Sequence, residues 1–250
     1  MGHVETSEKE GIATVSISRG KVNAINEVVV EQIQEALSRI QANETIRAVI
    51  LTGRGRFFSF GFDIPEFMSF SREDFSRYLI KFTDLYARIF LFPKPVIAAL
   101  NGHTIAGGCM IASACDYRLM VKGKAKISLN EITFGSSVFA GSTAILKYCV
   151  GTVNAQEILY SGRMYTAEEA LALGLVNTVT SEDDLLIKAE MAAKEFAAKD
   201  PVAFKSIKRI LRRRAMEEIA RFEEESIKEF VEIWYSETMR RNLSRITISP

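Results

Sequence analysis

The residues best suited to chemistry lie between Asn101 and Glu131, with Asn-Gly-His-Thr-Ile-Ala-Gly-Gly-Cys at one end and Ser-Leu-Asn-Glu at the other. Gly107 and Gly108 stand where an extended apolar run, Pro95 to Leu100, gives way to a small-residue segment, Cys109 to Cys115, that reads as a buried helix. Glycine lets a backbone approach a ligand closely because no side chain holds it off. A helix beginning there also presents unpaired N–H groups and the positive end of its dipole, which suits a developing oxyanion or another anion. Glu131 follows a second extended run and sits in a mostly uncharged stretch from Ile127 to Leu146. These residues point to one carboxylate working opposite one backbone anion hole.

Such a site needs a sizeable scaffold. The chain has 250 residues, 48% apolar and 25% charged, enough for one large domain or two small ones. A net charge of +1 gives no general reason to expect nucleic acid or an acidic membrane as partner. Met1 to Lys9 is polar without a signal-like apolar core, and no run reaches the ~18 apolar residues of a membrane span. Cys109, Cys115 and Cys149 are odd in number and lack Cys-x-x-Cys spacing, so they read as reduced core thiols in a reducing compartment. A reactive Cys109 is the alternative, but His3 and His103 are the only histidines, neither completes a triad, and no zinc set can be assembled. The closing Ile-Thr-Ile-Ser-Pro is not a peroxisomal address, and no Arg-rich transit segment is visible, so the cytoplasm is the expected location.

The positioning elements follow from periodicity. Gly11 to Ser18 and Ile46 to Thr52 read as strands. Between them Asn26 is a candidate N-cap, with Val29, Ile33, Ala36, Leu37 and Ile40 at helical spacing, which makes a right-handed βαβ unit and an α/β chain. Ser59 to Phe67 follows the second strand, with Gly61 allowing a tight backbone path and Pro65 disfavouring helix at Ile64. Phe75, Tyr78, Leu79, Phe82, Leu85, Tyr86 and Ile89 form an aromatic helical face, expected as core or subunit contact. Pro93 and Pro95 end that helix, and Val96 to Leu100 is the next strand. Thr166 to Ala170 has capping-box order, with Gly174 placed to stop the helix. From Glu182 the chain reads as mostly helical, so the expected division is a core over 1–195 and a helical region over 196–250.

In this order the segments resemble the crotonase, or enoyl-CoA hydratase/isomerase, superfamily. The matching stretches are Lys-Val-Asn-Ala-Ile at 21–25, Phe-Ser-Phe-Gly-Phe-Asp-Ile at 58–64, and Asn-Gly-His-Thr-Ile-Ala-Gly-Gly-Cys at 101–109. Three more are Cys-Asp-Tyr-Arg at 115–118, Leu-Asn-Glu-Ile-Thr-Phe-Gly at 129–135, and Tyr-Thr-Ala-Glu-Glu-Ala-Leu-Ala-Leu-Gly-Leu-Val-Asn at 165–177. The resemblance runs from about residue 11 to about residue 215. It implies a spiral of βαβ units with two roughly perpendicular sheets, and C-terminal helices that build a homotrimer or a dimer of trimers. It also implies an acyl-CoA thioester substrate, with coenzyme A as part of that substrate and no separate cofactor or metal.

Carried over by position, the two N–H donors for the thioester oxygen fall on Phe62 and Gly107, and the acid/base on Glu131. The surrounding binding set is Val22, Ala24, Ser59, Gly61, Asp63, Ile64, Ala106, Gly108 and Asn130. Family members carry Ala, Ile or Leu at the first donor, so Phe62 departs in bulk while keeping its N–H. Members that hydrate a double bond have a glutamate where this chain has Met110, and a methionine neither accepts nor gives a proton. The pattern that remains looks like that of the mitochondrial-type Δ3,Δ2-enoyl-CoA isomerases, which keep only the later glutamate. The expected reaction is a 1,3-proton shift through a held dienolate. The alternatives are a hydratase, another enolate reaction of the family such as decarboxylation or dienoyl isomerisation, and a non-catalytic member that binds CoA or RNA. His103 and Asp116 are expected in structural roles, Asp63 as a loop-fixing group. The cluster Lys205, Lys208, Arg209, Arg212, Arg213 and Arg214 is expected as a solvated helix face, with CoA phosphates or RNA as the alternative contacts.

Overall fold

The computed structural model describes residues 2–243. The closing Ile-Thr-Ile-Ser-Pro and the end of the 196–250 region lie outside the described residues. Strands β1 (Val4–Lys9) and β2 (Ile12–Ile17) form an antiparallel hairpin. The sequence reading lacked β1, because five of its six residues are exposed and no alternation of burial marks it. Helix α1 (Glu27–Ala42) begins where expected: the Asn26 side chain accepts from the Val29 N–H. Its periodic apolar residues are all buried, and it leads into β3 (Ala48–Gly53), parallel to β2.

Three strands of the main sheet, β3 and the two named below, each hand the chain to a strand of a second one. β3 continues into β4 (Phe57–Ser59), β5 (Val96–Leu100) into β6 (His103–Ile105), and β7 (Tyr117–Val121) into β8 (Ile127–Ser128). With β9 (Thr178–Thr180), the main sheet has the order β1-β2-β3-β5-β7-β9, parallel except for β1, and the small sheet is β4-β6-β8, all parallel. Parallel strands bring their C-terminal ends to one side, a usual place for ligands in α/β folds. The turns after β4, β6 and β8 therefore meet, and they contain Phe62, Gly107 and Glu131. This is the α/β, two-sheet crotonase-like architecture with a helical C-terminal region.

Helix α2 (Ile64–Phe67) opens at Ile64, against the expectation drawn from Pro65. Asp63 caps it by accepting from the Glu66 N–H, and a proline in the first turn lacks an N–H that has no helical partner there anyway. In α3 (Arg72–Phe90) the aromatic face is buried core, and the helix ends before Pro93. Helix α4 (Gly107–Ala114) is buried along its whole length. Helices α5 (Ala140–Ser161), α6 (Ala167–Ala172) and α7 (Leu185–Ala197) follow, then α8 (Pro201–Trp234) and α9 (Glu237–Leu243). The capping box of Thr166 and Glu169 is present in α6. Residues 195 and 196 both lie inside α7, and α8 begins at Pro201 under an Asp200 cap.

One internal charge cluster fastens α8 to the main sheet. Asp116 receives the Lys208 ammonium at 2.7 Å and the Arg212 guanidinium at 2.9 Å, and accepts the Val96 N–H at 2.8 Å. Arg212 also donates to the Phe90 and Ala114 carbonyls and lies over the Phe90 ring. Burial pushes the Lys208 ammonium down to about 8 despite the attraction of Asp116. The solvated-face expectation thus fails for Lys208 and Arg212, which are buried, and holds for the exposed Lys205, Arg209, Arg213 and Arg214. Asp116 is the strand-end hydrogen-bonding group expected of it. Replacing it by alanine strands two buried cations, so Asp116→Ala is expected to destabilise the fold by about 3–5 kcal/mol in urea titrations.

Candidate active site

Two backbone turns are pressed together at the centre of the site. At the first, β6 passes into α4 through Ala106, whose φ of 50° and ψ of −121° are costly for a residue with a side chain. The Ala106 N–H donates to Ser128 O at 2.8 Å, and its carbonyl accepts the Met110 N–H at 3.0 Å, which ties the unusual residue on both sides. Gly107 then opens the helix, and its N–H meets no protein acceptor among the described residues.

The second turn follows β4 and is stitched to the 22–25 segment. Phe60 N–H donates to Val22 O at 2.9 Å, Ile25 N–H to Gly61 O at 2.7 Å, and Asp63 N–H to Ile25 O at 3.1 Å, while the Ser59 hydroxyl donates to Asn23 O. These bonds bracket Phe62, whose own N–H has no protein acceptor among the described residues. The close approach of the turns requires two glycines. Gly61 has a φ of +96°, and a Cβ there would stand 3.0 Å from both the Ala106 Cβ and the Ile105 carbonyl oxygen. A Cβ on Gly108 would stand 2.7 Å from the Ser59 carbonyl oxygen.

The third contribution comes after β8, where a short 3-10 turn, Glu131–Phe134, ends at Gly135 with a φ of 90°. Glu131 is only 4% exposed, and burial pushes its carboxyl up to about 8. Among the described residues its Oε2 has no hydrogen-bond partner, nor has the Asn130 Oδ1 beside it. Glu131 lines a cavity of about 310 Å³ together with Phe62, Gly107 and Met110. Among the described residues it is the one titratable group in that wall, to which Met110 contributes an uncharged thioether.

Of the positions expected from sequence, Phe62, Ile64, Ala106, Gly107, Asn130 and Glu131 line the cavity. Val22, Ala24, Ser59, Gly61, Asp63 and Gly108 stand behind it, in the segments that hold the two turns. Asp63 fixes its loop, capping α2 and pairing with Arg19 at 2.6 Å. The Phe62 ring is absorbed by an aromatic cluster, edge-on to Phe82 at 4.8 Å and Tyr78 at 5.3 Å, so its bulk forms wall against α3. Phe230 and Trp234 from α8 also line the cavity, which sequence reading missed. Their four-residue spacing on a helix was the available signal.

Other reactive types are held elsewhere. His103 packs on the Phe57 ring at 5.0 Å, and burial lowers its proton affinity. Burial raises the Cys109 thiol to about 12, so it is not a nucleophile at neutral pH. Glu223 is also raised by burial, but its carboxylate accepts from Tyr86 and the Gly141 N–H and does not line the cavity.

Known proteins share this architecture. Residues 7–245 match the family model described as enoyl-CoA hydratase/isomerase. The chain is 35% identical over 214 residues to a probable enoyl-CoA hydratase of Bacillus subtilis, spanning 84% of this chain and 82% of that protein. It is 34% identical over 209 residues to a short-chain-enoyl-CoA hydratase of Clostridium acetobutylicum, spanning 82% and 80%. Among solved structures, human mitochondrial delta3-delta2-enoyl-CoA isomerase matches with a TM-score of 0.93 and 24% identity, covering 97% of this chain and 95% of that one, which speaks to the fold. With the family model spanning nearly the whole sequence and the two turns and buried carboxyl in place, the chain belongs to the enoyl-CoA hydratase/isomerase family.

Proposed function

We propose that this family member is a Δ3,Δ2-enoyl-CoA isomerase of fatty-acid metabolism that works with a single base. The observation that carries the reading is the composition of the cavity wall: Glu131 is its one titratable side chain among the described residues, and Met110 stands where hydration would need a partner. The thioester oxygen of a 3-enoyl-CoA accepts the N–H groups of Phe62 and Gly107. Glu131 takes a proton from C2, the negative charge spreads over a dienolate whose oxygen the two donors stabilise, and the same carboxyl returns the proton to C4. The C3=C4 double bond becomes C2=C3, and no water, metal or separate cofactor enters the balance. Each such donor is worth ~2.7–4 kcal/mol in the transition state.

The carboxyl is suited to both halves of this shift. A proton affinity raised to about 8 makes it a stronger base than an exposed glutamate, and still an acid able to hand the proton back near neutral pH. A second reading, hydration of a 2-enoyl-CoA, is favoured by the names of the Bacillus and Clostridium relatives. It requires another group to hold and activate water.

The assembly we propose is a homotrimer or a dimer of trimers built through the 196–250 region. Apolar side chains left open on α8 support it, among them Ile207, Leu211 and Ile210, the last 67% exposed. No described helix is long and apolar enough to cross a membrane, and three unpaired thiols agree with the reducing cytoplasm.

Turnover of 3-hexenoyl-CoA measured beside hydration of 2-hexenoyl-CoA tests the reaction. Isomerisation without hydration is expected, and Glu131→Gln is expected to lower its kcat by roughly 10²–10⁴-fold. Robust hydration would replace the isomerase reading with the second one. Gly108→Ala probes the anion hole: its Cβ pushes the Ser59 turn away, so kcat is expected to fall by roughly 10²-fold or more with the chain still folded. An unchanged kcat in that variant would separate the two turns from catalysis.

A further inference from the structure

Apart from Asn130 beside Glu131, the cavity wall contains two polar groups that neither the protein nor the proposed reaction uses. Ser136 is 8% exposed and Trp234 is 2% exposed, and both line the cavity. The Ser136 hydroxyl and the Trp234 indole N–H each lack a hydrogen-bond partner among the described residues. Around them the wall is aromatic, with Phe134, Phe139 and Phe230. Buried polar groups are normally paired, and an orphan in such a wall marks a place where a ligand or an ordered water completes the bonding.

Their chemistry narrows the ligand. The indole nitrogen donates only, and a hydroxyl both donates and accepts, so the complementary group is an acceptor. Trp234 has little freedom to look for a partner elsewhere, since its ring is packed on Phe75 at 4.6 Å and stacked with Phe230 at 6.1 Å. A phenylalanine would keep an aromatic ring against these partners without the N–H. Among the described residues no lysine or arginine lines the cavity, which disfavours a carboxylate and leaves a neutral oxygen. A plain hydrocarbon chain would leave both groups unsatisfied.

Resting on the proposal that the cavity takes an acyl-CoA thioester, we infer that Ser136 and Trp234 are specificity-determining residues for acyl chains with a neutral oxygen function, a hydroxyl, ether or keto group, beyond the reacting carbons. Sites built to hydrogen-bond a substrate oxygen discriminate strongly against analogues that lack it.

The test uses saturated thioesters, which bind without reacting. Hexanoyl-CoA is compared by calorimetry with hexanoyl-CoA carrying a keto group at C4 or C5 or a hydroxyl group at C6, on the wild type, Ser136→Ala and Trp234→Phe. At least one oxygenated ligand is expected to bind the wild type about tenfold more tightly than hexanoyl-CoA, a gap of about 1.4 kcal/mol. Each substitution is expected to shrink that ratio several-fold, by weakening the oxygenated ligand more than the plain one. Equal or tighter binding of hexanoyl-CoA by the wild type overturns the inference, as does equal weakening of all ligands in the variants, which would mean that the two groups only hold a water or the fold. The wild-type comparison stands even where a variant does not fold. A preference for oxygenated chains without isomerase turnover would retract the proposed reaction alone, and turnover of 3-hexenoyl-CoA without that preference would retract this inference alone.

Discussion

Removing a carboxyl group from water without supplying a counter-charge is the constraint on which this site rests. A buried glutamate with no cation beside it holds its proton well above the usual carboxylate range, and Glu131 is kept in that condition by the turn after β8 and an aromatic wall. The same fold treats buried charge in the opposite way a short distance along the chain. Asp116 is surrounded by Lys208 and Arg212 and serves structure, whereas Glu131 is left unpaired and is free to exchange a proton. The contrast separates a carboxylate that holds helices from one that can do chemistry.

A lone base of this strength cannot take a proton from a thioester unless the resulting negative charge is met elsewhere. In the proposed reaction the two turns after β4 and β6 supply that condition through backbone alone. Their approach is enforced by hydrogen bonds from the 22–25 segment on one side and from Ser128 on the other, and the strained Ala106 is kept in place between them. Because both donors are main-chain groups, the side chain at Phe62 is free to vary, and here it becomes part of the wall against α3. The parallel small sheet brings all three turns to one end, so local strain and global topology serve one geometry.

Much of this could be read from residue types. Asn26, Thr166 and Glu169 marked helix starts, the aromatic period of α3 marked core, and Gly107 with Gly108 marked the close approach of a backbone. What was missed needed tertiary contacts. The edge strand β1 has no buried face to betray it, and Pro65 sits in a first turn that tolerates proline. Lys208 and Arg212 looked like solvent-facing charges because the carboxylate that pulls them inward, Asp116, is about ninety residues away in sequence. Phe230 and Trp234 belong to the cavity only because α8 folds back over it.

The most direct test of the central claim is the protonation state of Glu131, followed by infrared difference spectroscopy between wild type and Glu131→Gln across pH. A protonated carboxyl band that persists at neutral pH and disappears around pH 8 is the expected result, because burial raises the group. The base would then be a minority species at pH 7 and fully ionised well above pH 8. A Glu131 that is already ionised at about pH 5, in the range of an ordinary glutamate, would contradict the desolvated single base.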